Sequence, residues 1–182
     1  MTTLNEYLGL KRPAFAALKA RARAPGYEPA TLRAAVTVEG RSGVRRIRVR
    51  DFQVLTDSPR DFVGYDLGPG SPELALGALG SCLAHSWLIQ AAVHGLPLES
   101  VEVEVTGRMD LRAGEPGYEQ VPPEPHGIGF TVRLGTSAAE AEVAAVQAAV
   151  ERTCPILNLL RRPQPIEARV ERRPATTPGD PS

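Results

Sequence analysis

The feature that most constrains the fold is a run of twenty residues, Leu74 to Val93, that contains no Asp, Glu, Lys or Arg. A run of this length can cross a bilayer as a helix, so a membrane span has to be considered. Polar side chains interrupt it at His85, Ser86 and Gln90, no aromatic or basic belt brackets it, and amphipathic segments flank it. The run therefore predicts a helix that is apolar on all sides and lies at the centre of a soluble core.

The boundaries of this helix are well signalled. A Gly- and Pro-rich loop over residues 64–71 leads into it, and Gly95, with Pro97 behind it, marks its end. Gly77 and Gly80 lie within it, and their lack of a side chain would let another backbone approach closely.

The segment before the central helix predicts one helix and two strands. Thr3 followed by Glu6 is typical of a capping box, and we expect a helix in two pieces, broken at Pro13 and ending near Gly26. Two β-rich segments follow, residues 32–38 and 44–55, joined by a hairpin loop over residues 39–43.

The segment after the central helix begins with the alternation Val-Glu-Val-Glu-Val at residues 101–105, which predicts a strand reaching about Leu111. A loop with four prolines then spans residues 112–127. Beyond it we expect a strand over residues 128–134, a helix capped by Ser137 and Glu140 that ends at Cys154, and a short last strand over residues 166–171.

This order of elements predicts the α+β class, because hairpin and meander connections imply antiparallel sheets around the long central helix. The chain is accordingly divided into an N-terminal helical extension (residues 1–26), a main domain (residues 27–173) and a disordered tail rich in Pro, Thr and Gly (residues 174–182).

The balance of charges indicates no particular class of binding partner. The chain has 21 basic and 21 acidic residues, so no large field attracts nucleic acid or an anionic membrane surface, and neither is expected as a partner. The first residues lack the basic and then apolar order of a secretory signal. We therefore expect a cytoplasmic protein whose cysteines are reduced at rest.

The two cysteines are the sharpest chemical signal. Cys82 lies inside the uncharged helix, and Cys154 ends the later helix immediately before Pro155. His85 lies one turn from Cys82 on the same helical face, where an imidazole can favour a thiolate. The alternative is a core histidine whose ring is satisfied by a carbonyl group, and the sequence leaves both interpretations open.

Other chemistries find little support. A zinc site formed by Cys82, His85 and Cys154 would have one close ligand pair only, whereas structural zinc sites usually bring several. The chain also has no Gly-rich phosphate loop, no nucleophile elbow and no dinucleotide fingerprint. We therefore expect neither a metal nor a cofactor.

Three segments together resemble the OsmC/Ohr family of peroxide-detoxifying proteins. They are residues 68–74 (Gly-Pro-Gly-Ser-Pro-Glu-Leu), residues 78–82 (Ala-Leu-Gly-Ser-Cys) and residues 154–156 (Cys-Pro-Ile). The order of elements and the Leu-Pro-Leu-Glu entry into the alternating strand agree with this family too. The resemblance covers about residues 32–172 and leaves out the N-terminal helix and the tail.

The resemblance implies an OsmC-like fold in an intertwined homodimer with two thiol sites at the interface. It implies that Cys82 attacks an organic hydroperoxide and becomes a sulfenic acid, and that Cys154 resolves it to a disulfide. A thiol reductant, such as a dihydrolipoyl group on a protein, would then restore both thiols. General thiol chemistry agrees with this sequence of steps.

Two further residues resemble functional positions of the family. Arg41, in the hairpin loop, is similar to an arginine that steadies the thiolate, and Glu73 is similar to the glutamate that orients that arginine. Glu73 stands nine residues before Cys82, where the Ohr pattern has ten, and on a helix this spacing directs it away from Cys82.

The sequence thus supports two hypotheses. The first is a cysteine-based organic hydroperoxide reductase that acts through Cys82 and Cys154 with help from Arg41 and Glu73. The second is a non-catalytic dimeric binding or stress-associated module that keeps an apolar interface cleft, and the position of Glu73 and the presence of His85 favour it.

Overall fold

The computed structural model describes residues 3–172, which form two antiparallel sheets and four α-helices. In chain order the elements are α1 (Leu4–Ala22), β1 (Ala35–Val38), β2 (Arg45–Val49), β3 (Phe52–Thr56), a 3-10 turn (Arg60–Phe62), α2 (Ser71–His94), β4 (Ser100–Arg108), β5 (His126–Gly135), α3 (Glu140–Thr153) and α4 (Pro155–Arg161). The predicted tail, residues 174–182, lies outside the described residues. The α+β class with antiparallel sheets and a long central helix is confirmed.

Helix α2 is the centre of the fold, as the uncharged run predicts. Pro72 lies in its first turn, the Glu73 carboxylate accepts the Gly70 N–H at 2.7 Å, and Gly95 ends it with a φ of 74°. Among the described residues α2 is the one helix long and apolar enough to cross a membrane by length and composition. Its buried side chains contact α1, α3, α4 and β4, which is the packing of a core helix.

The β4–β5 sheet covers one side of α2. The alternation of β4 places Val101, Val103 and Val105 against the core, while Glu102 and Glu104 face outward. Both outward carboxylates accept hydrogen bonds from Arg133 of β5, at 3.1 and 2.7 Å. A Cβ at Gly80 would lie 3.3 Å from Val105, so this glycine does allow the close approach of α2 and β4.

The β1–β2–β3 sheet stands apart, because none of its strands packs appreciably on a helix of the described chain. Its register places most of the apolar side chains on one face, namely Val36, Val38, Ile47, Val49, Phe52 and Val54. Most of them are exposed, with Val38 and Phe52 each 65% exposed. The other face carries Arg46, which binds Glu39 at 2.7 Å and Gln53 at 2.6 Å. One face of this sheet is therefore hydrophobic and uncovered.

Helix α1 differs from the prediction in two ways. It continues unbroken through Pro13 and ends at Ala22 rather than near Gly26. Pro13 removes one backbone donor, but contacts in the turns before it hold the helix in place: Leu8 is buried, Asn5 accepts the Leu98 N–H at 2.9 Å, and Arg12 donates to the Ala92 carbonyl. Helix α1 is thus packed on the C-terminal half of α2.

Three other boundaries differ. The predicted strand over residues 44–55 is two strands with a tight turn between them, where Arg50 has a φ of 56°. Strand β4 ends at Arg108, because beyond it the Asp110 carboxylate accepts both the backbone N–H and the guanidinium of Arg112 and so closes a turn. The predicted last strand is absent: residues 166–171 pair with no strand of the described chain.

Candidate thiol site

The fold brings the two cysteines together across 72 positions of sequence. The Cys154 and Cys82 Sγ atoms are 3.5 Å apart, and both thiols are free. Cys154 is fully buried, whereas Cys82 is partly exposed on α2. Two sulfur atoms in contact can form a disulfide after a small movement, so the site has the geometry of a redox-active pair.

Cys154 is positioned by a break between two helices. As the residue before Pro155 it is extended, with φ −67° and ψ 115°, and this ends α3 while Pro155 opens α4. The Asn158 amide donates to the Cys154 and Glu151 carbonyls at 2.9 and 3.0 Å, which satisfies the end of α3. Helix α4 has only seven residues and is too short to be predicted from the sequence. Its Asn158 nevertheless stabilises the α3–α4 break through these hydrogen bonds.

A partly buried polar contact joins the break to α2. The Gln90 amide donates to the Thr153 hydroxyl at 3.0 Å, and that hydroxyl donates to the Ala149 carbonyl at 2.7 Å. Thr153 directly precedes Cys154, and Gln90 lies about two turns from Cys82 on the same helix. The link therefore joins the end of α3 to the helix that carries Cys82.

The electrostatic surroundings of Cys82 favour its neutral thiol in a single protomer. Burial raises the pKa of Cys82, and the adjacent Cys154 raises it further. The backbone N–H of Ile156 and the hydroxyl of Ser86 act in the opposite direction without reversing the shift. A thiolate at Cys82 thus needs positive charge from a group other than Cys154, Ile156 and Ser86.

The structure does not bring Arg41 or Glu73 to the cysteines. Arg41 is exposed in the hairpin loop and makes no hydrogen bond or ion pair with any residue between 3 and 172. The Glu73 carboxylate is used in the cap of α2, on the side of the helix opposite Cys82, as the nine-residue spacing predicts. Within one chain the proposed assisting pair is therefore not assembled.

His85 is exposed and contacts the N-terminal helix instead of a core carbonyl. Its Nε2 lies 3.1 Å from Lys11 Nζ, and Lys11 also donates to the Tyr7 hydroxyl at 3.0 Å. Burial lowers the pKa of His85, and the charge of Lys11 lowers it further. Both effects favour the neutral imidazole.

Two clefts lie beside α2, on the side away from the sulfur atoms. One, of about 360 Å³, is lined by Glu73, Gly77, Gly80 and strand β4. The other, of about 450 Å³ and mainly apolar, lies between the loop before α2 and the loop after β4. Within residues 3–172 no group of three His, Cys, Asp or Glu side chains is placed to hold a metal ion.

The chain belongs to the OsmC-like protein family, whose sequence model matches residues 64–169. Solved structures agree. An OsmC-like protein from Mycoplasma pneumoniae aligns with a TM-score of 0.63 at 16% identity, over 74% of this chain and 89% of that one. An organic hydroperoxide resistance protein, OsmC, from Legionella pneumophila aligns with a TM-score of 0.53 at 17% identity, over 74% and 92%.

A third similar structure, an OsmC-like protein of unknown function from Vibrio cholerae, aligns with a TM-score of 0.54 at 13% identity, over 71% of this chain and 93% of that one. The comparison with curated proteins found no match. Many family members are organic hydroperoxide resistance proteins, and at these identities the structural similarity shows the fold. Helix α1 lies outside the family match.

Sequence reasoning missed four groups around the thiols: Lys11, Gln90, Thr153 and Asn158. Gln90 carried one usable signal, since a polar residue in an otherwise apolar buried helix usually has a side-chain partner. The partners themselves are distant in sequence or lie on a helix of seven residues. Only the fold brings them to the site.

Proposed function

We propose that this protein is a thiol-dependent peroxidase that reduces organic hydroperoxides through Cys82 and Cys154. The observation that carries the proposal is the 3.5 Å contact between a partly exposed thiol and a fully buried one. The OsmC family membership supports it, as does the similarity to a hydroperoxide resistance protein. Cys82 is the attacking group because it is the more accessible of the two.

The reaction consumes one hydroperoxide and two thiol electrons. The Cys82 thiolate attacks the terminal peroxide oxygen, the O–O bond breaks, and the alcohol leaves after taking a proton, so that Cys82 becomes a sulfenic acid. The Cys154 sulfur then displaces the hydroxyl group as water, and a disulfide forms. An external dithiol, such as a dihydrolipoyl group, reduces this disulfide by exchange and is itself oxidised. The cytoplasm, where thiols are kept reduced, is the proposed compartment.

We further propose that the active form is an intertwined homodimer. The apolar face of the β1–β2–β3 sheet is exposed in one protomer and has no helix of its own chain to cover it. The face of α2 around Cys82, which carries Ala75 and Ala78, is also exposed. A second copy that covers both faces would bury the thiols in a less aqueous site, and we assign Arg41 and Glu73 their assisting roles in that assembly.

The peroxidase is tested by adding one equivalent of cumene hydroperoxide to the reduced protein. We expect both thiols to be lost together with a mass decrease of about two hydrogens, which is the change for one disulfide. Cys82→Ser should abolish peroxide consumption, and Cys154→Ser should leave Cys82 as a sulfenic acid that a dimedone probe labels. Retention of both thiols under conditions that oxidise a control peroxidase refutes the proposal.

The dimer is tested by sedimentation of the wild type and of Val38→Asp, which places a charge on the exposed sheet face. We expect a dimer for the wild type and dissociation for Val38→Asp. The matched control is Thr37→Asp, on the opposite face of the same strand, which should remain a dimer. A wild-type monomer at all concentrations up to the solubility limit contradicts the proposed assembly.

One observation favours a second candidate, a binding module without efficient peroxide chemistry. In one protomer the pKa of Cys82 is raised, which disfavours the reactive thiolate, while an apolar cleft of about 450 Å³ lies on the other side of α2. Thermal stabilisation by a small apolar compound, together with thiols that survive excess cumene hydroperoxide, would support this candidate. Stoichiometric thiol oxidation would exclude it.

A further inference from the structure

The N-terminal helix places a cation beside the thiol-bearing face of α2. Lys11 Nζ lies 3.1 Å from His85 Nε2 and 3.0 Å from the Tyr7 hydroxyl, and it sits 5.2 Å from the centre of the Tyr7 ring. His85 is three residues after Cys82, so the two side chains are neighbours on one helical face. Helix α1, which lies outside the family-matched region, therefore brings a lysine to the helical face that carries Cys82.

The position of Lys11 is fixed by the packing of α1. Leu8 is buried against the core one turn before it, and the neighbouring Arg12 donates to the Ala92 carbonyl at the C-terminal end of α2. Asn5 accepts the Leu98 N–H at 2.9 Å. These contacts lie on both sides of Lys11 along the chain, and together they keep its side chain over α2.

The hydrogen bond also fixes the proton on His85. An ammonium group only donates, so His85 Nε2 must be the acceptor and the ring proton must reside on Nδ1. Burial and the charge of Lys11 both lower the pKa of His85, which agrees with a neutral ring. The positive charge of the cluster thus stays on Lys11. Adding the 3.1 Å contact to the spacing of about 5–6 Å between helical neighbours places this charge within roughly 8–9 Å of the Cys82 side chain.

We propose that Lys11 is a positioning residue of the thiol site: through His85 it holds a fixed positive charge beside Cys82 and favours the thiolate. The single protomer does not bring Arg41 to this place, and Lys11 supplies positive charge there from the same chain, in addition to the charge that Arg41 is proposed to bring in the dimer. The use of that thiolate to attack peroxide rests on the proposed function, whereas the charge effect itself does not.

The polar and charged groups around Cys82 come from three helices and the break between two of them. Helix α2 contributes Ser86 and, one turn away, His85; the α3–α4 break contributes the Cys154 thiol and the Ile156 N–H; and Lys11 of α1 reaches this face through its contact with His85. Strand β4 turns valines toward α2, and its carboxylates pair with Arg133 on the outer face. Arg161 of α4 pairs with Glu151 of α3. Within residues 3–172 Lys11 is thus the cation that reaches this face.

The test measures the thiolate directly in Cys154→Ser protein, in which Cys82 is the one remaining cysteine. The rate of Cys82 alkylation by iodoacetamide is measured from pH 6 to pH 10 in this protein with Lys11 intact and in the same protein with the additional change Lys11→Met. We expect Lys11→Met to react about threefold more slowly at pH 7, since a unit charge at this distance and partial exposure shifts a thiol by about half a pKa unit. Lys11→Arg should restore most of the rate, and 1 M salt should shrink the difference.

The matched control is Lys19→Met, which removes the same charge from the same helix at a residue that contacts Phe15. It should leave the alkylation profile unchanged. The proposal is overturned if Lys11→Met matches the wild type, or if Lys19→Met slows alkylation equally. Failure of peroxide turnover with an intact Lys11 effect would instead refute the proposed function and leave this inference standing.

Discussion

Oxidation of the thiol pair should stabilise the fold, because it joins two residues that are already in contact. Cys82 and Cys154 are 72 positions apart and their sulfur atoms are separated by 3.5 Å, so a disulfide would close a long loop with little movement. Loop closure of that length lowers the entropy of the unfolded chain by an amount worth about 4 kcal/mol at 25 °C. Strain in the native state should offset little of this gain, because the two cysteines are already in contact and the surrounding helices are packed in the main core.

The assay compares thermal and urea unfolding of fully reduced and fully oxidised protein at one protein concentration, which keeps any contribution from assembly equal. A gain of about 4 kcal/mol corresponds to a rise in Tm of roughly 8–16 °C for a chain of this size. Cys154→Ser, treated with the same oxidant, is the control and should show no gain. It also separates the disulfide from unrelated oxidation of Met.

The result that would refute the reasoning is an oxidised protein that forms the intrachain disulfide, by mass, yet unfolds at the same temperature as the reduced form or below it. That outcome would mean that the bond strains the native state by as much as it restricts the unfolded one. The reduced fold would then not hold the two sulfur atoms in a geometry that a disulfide can adopt without strain, contrary to what the 3.5 Å contact indicates.

Two further predictions concern neighbouring groups. Thr153→Val should lower the free energy of unfolding by about 1–2 kcal/mol, because it leaves the Gln90 amide buried without its acceptor, whereas Thr131→Val on the exposed face of β5 should change it by less than about 0.5 kcal/mol in urea titrations. Hydrogen bonds from Arg112 lower the pKa of Asp110 to about 2, so this carboxylate stabilises the fold above its unfolded pKa and loses that effect as the pH falls toward 2. NMR titration should show the low value in the wild type and a return toward the ordinary range in Arg112→Gln.

Local signals predicted the central helix and the alternating strand well. An uncharged run bounded by Pro72 and Gly95 has one compatible structure, since both residues have fixed roles at helix ends. The Val-Glu alternation of β4 likewise specifies one buried face. The two cysteines were identifiable from their positions at a helix face and a helix end, and the family resemblance connected them.

The tertiary contacts of the site could not be predicted in the same way. Nothing local indicates that Gln90 meets Thr153 or that Lys11 meets His85, because these pairs are 63 and 74 positions apart. Pro13 was expected to break α1, but contacts from Asn5 and Arg12 outweigh a single missing backbone hydrogen bond. Long-range packing overrides the local preference at Pro13, and it creates the other two contacts, for which no local signal exists.

The remaining discrepancy concerns residues 166–171, whose alternation predicts a strand that the single chain does not form. Ile166 and Val170 are each about 90% exposed there, on a segment that pairs with nothing in the described chain. A strand needs a neighbour for its backbone groups, and a lone amphipathic segment has none. The apolar face of the β1–β2–β3 sheet has the complementary deficiency, since it lacks a covering layer. Residues 166–171 and this sheet face both carry apolar side chains in a pattern typical of buried strands. The proposed second copy of the chain would give each of them a packing surface that one protomer does not provide.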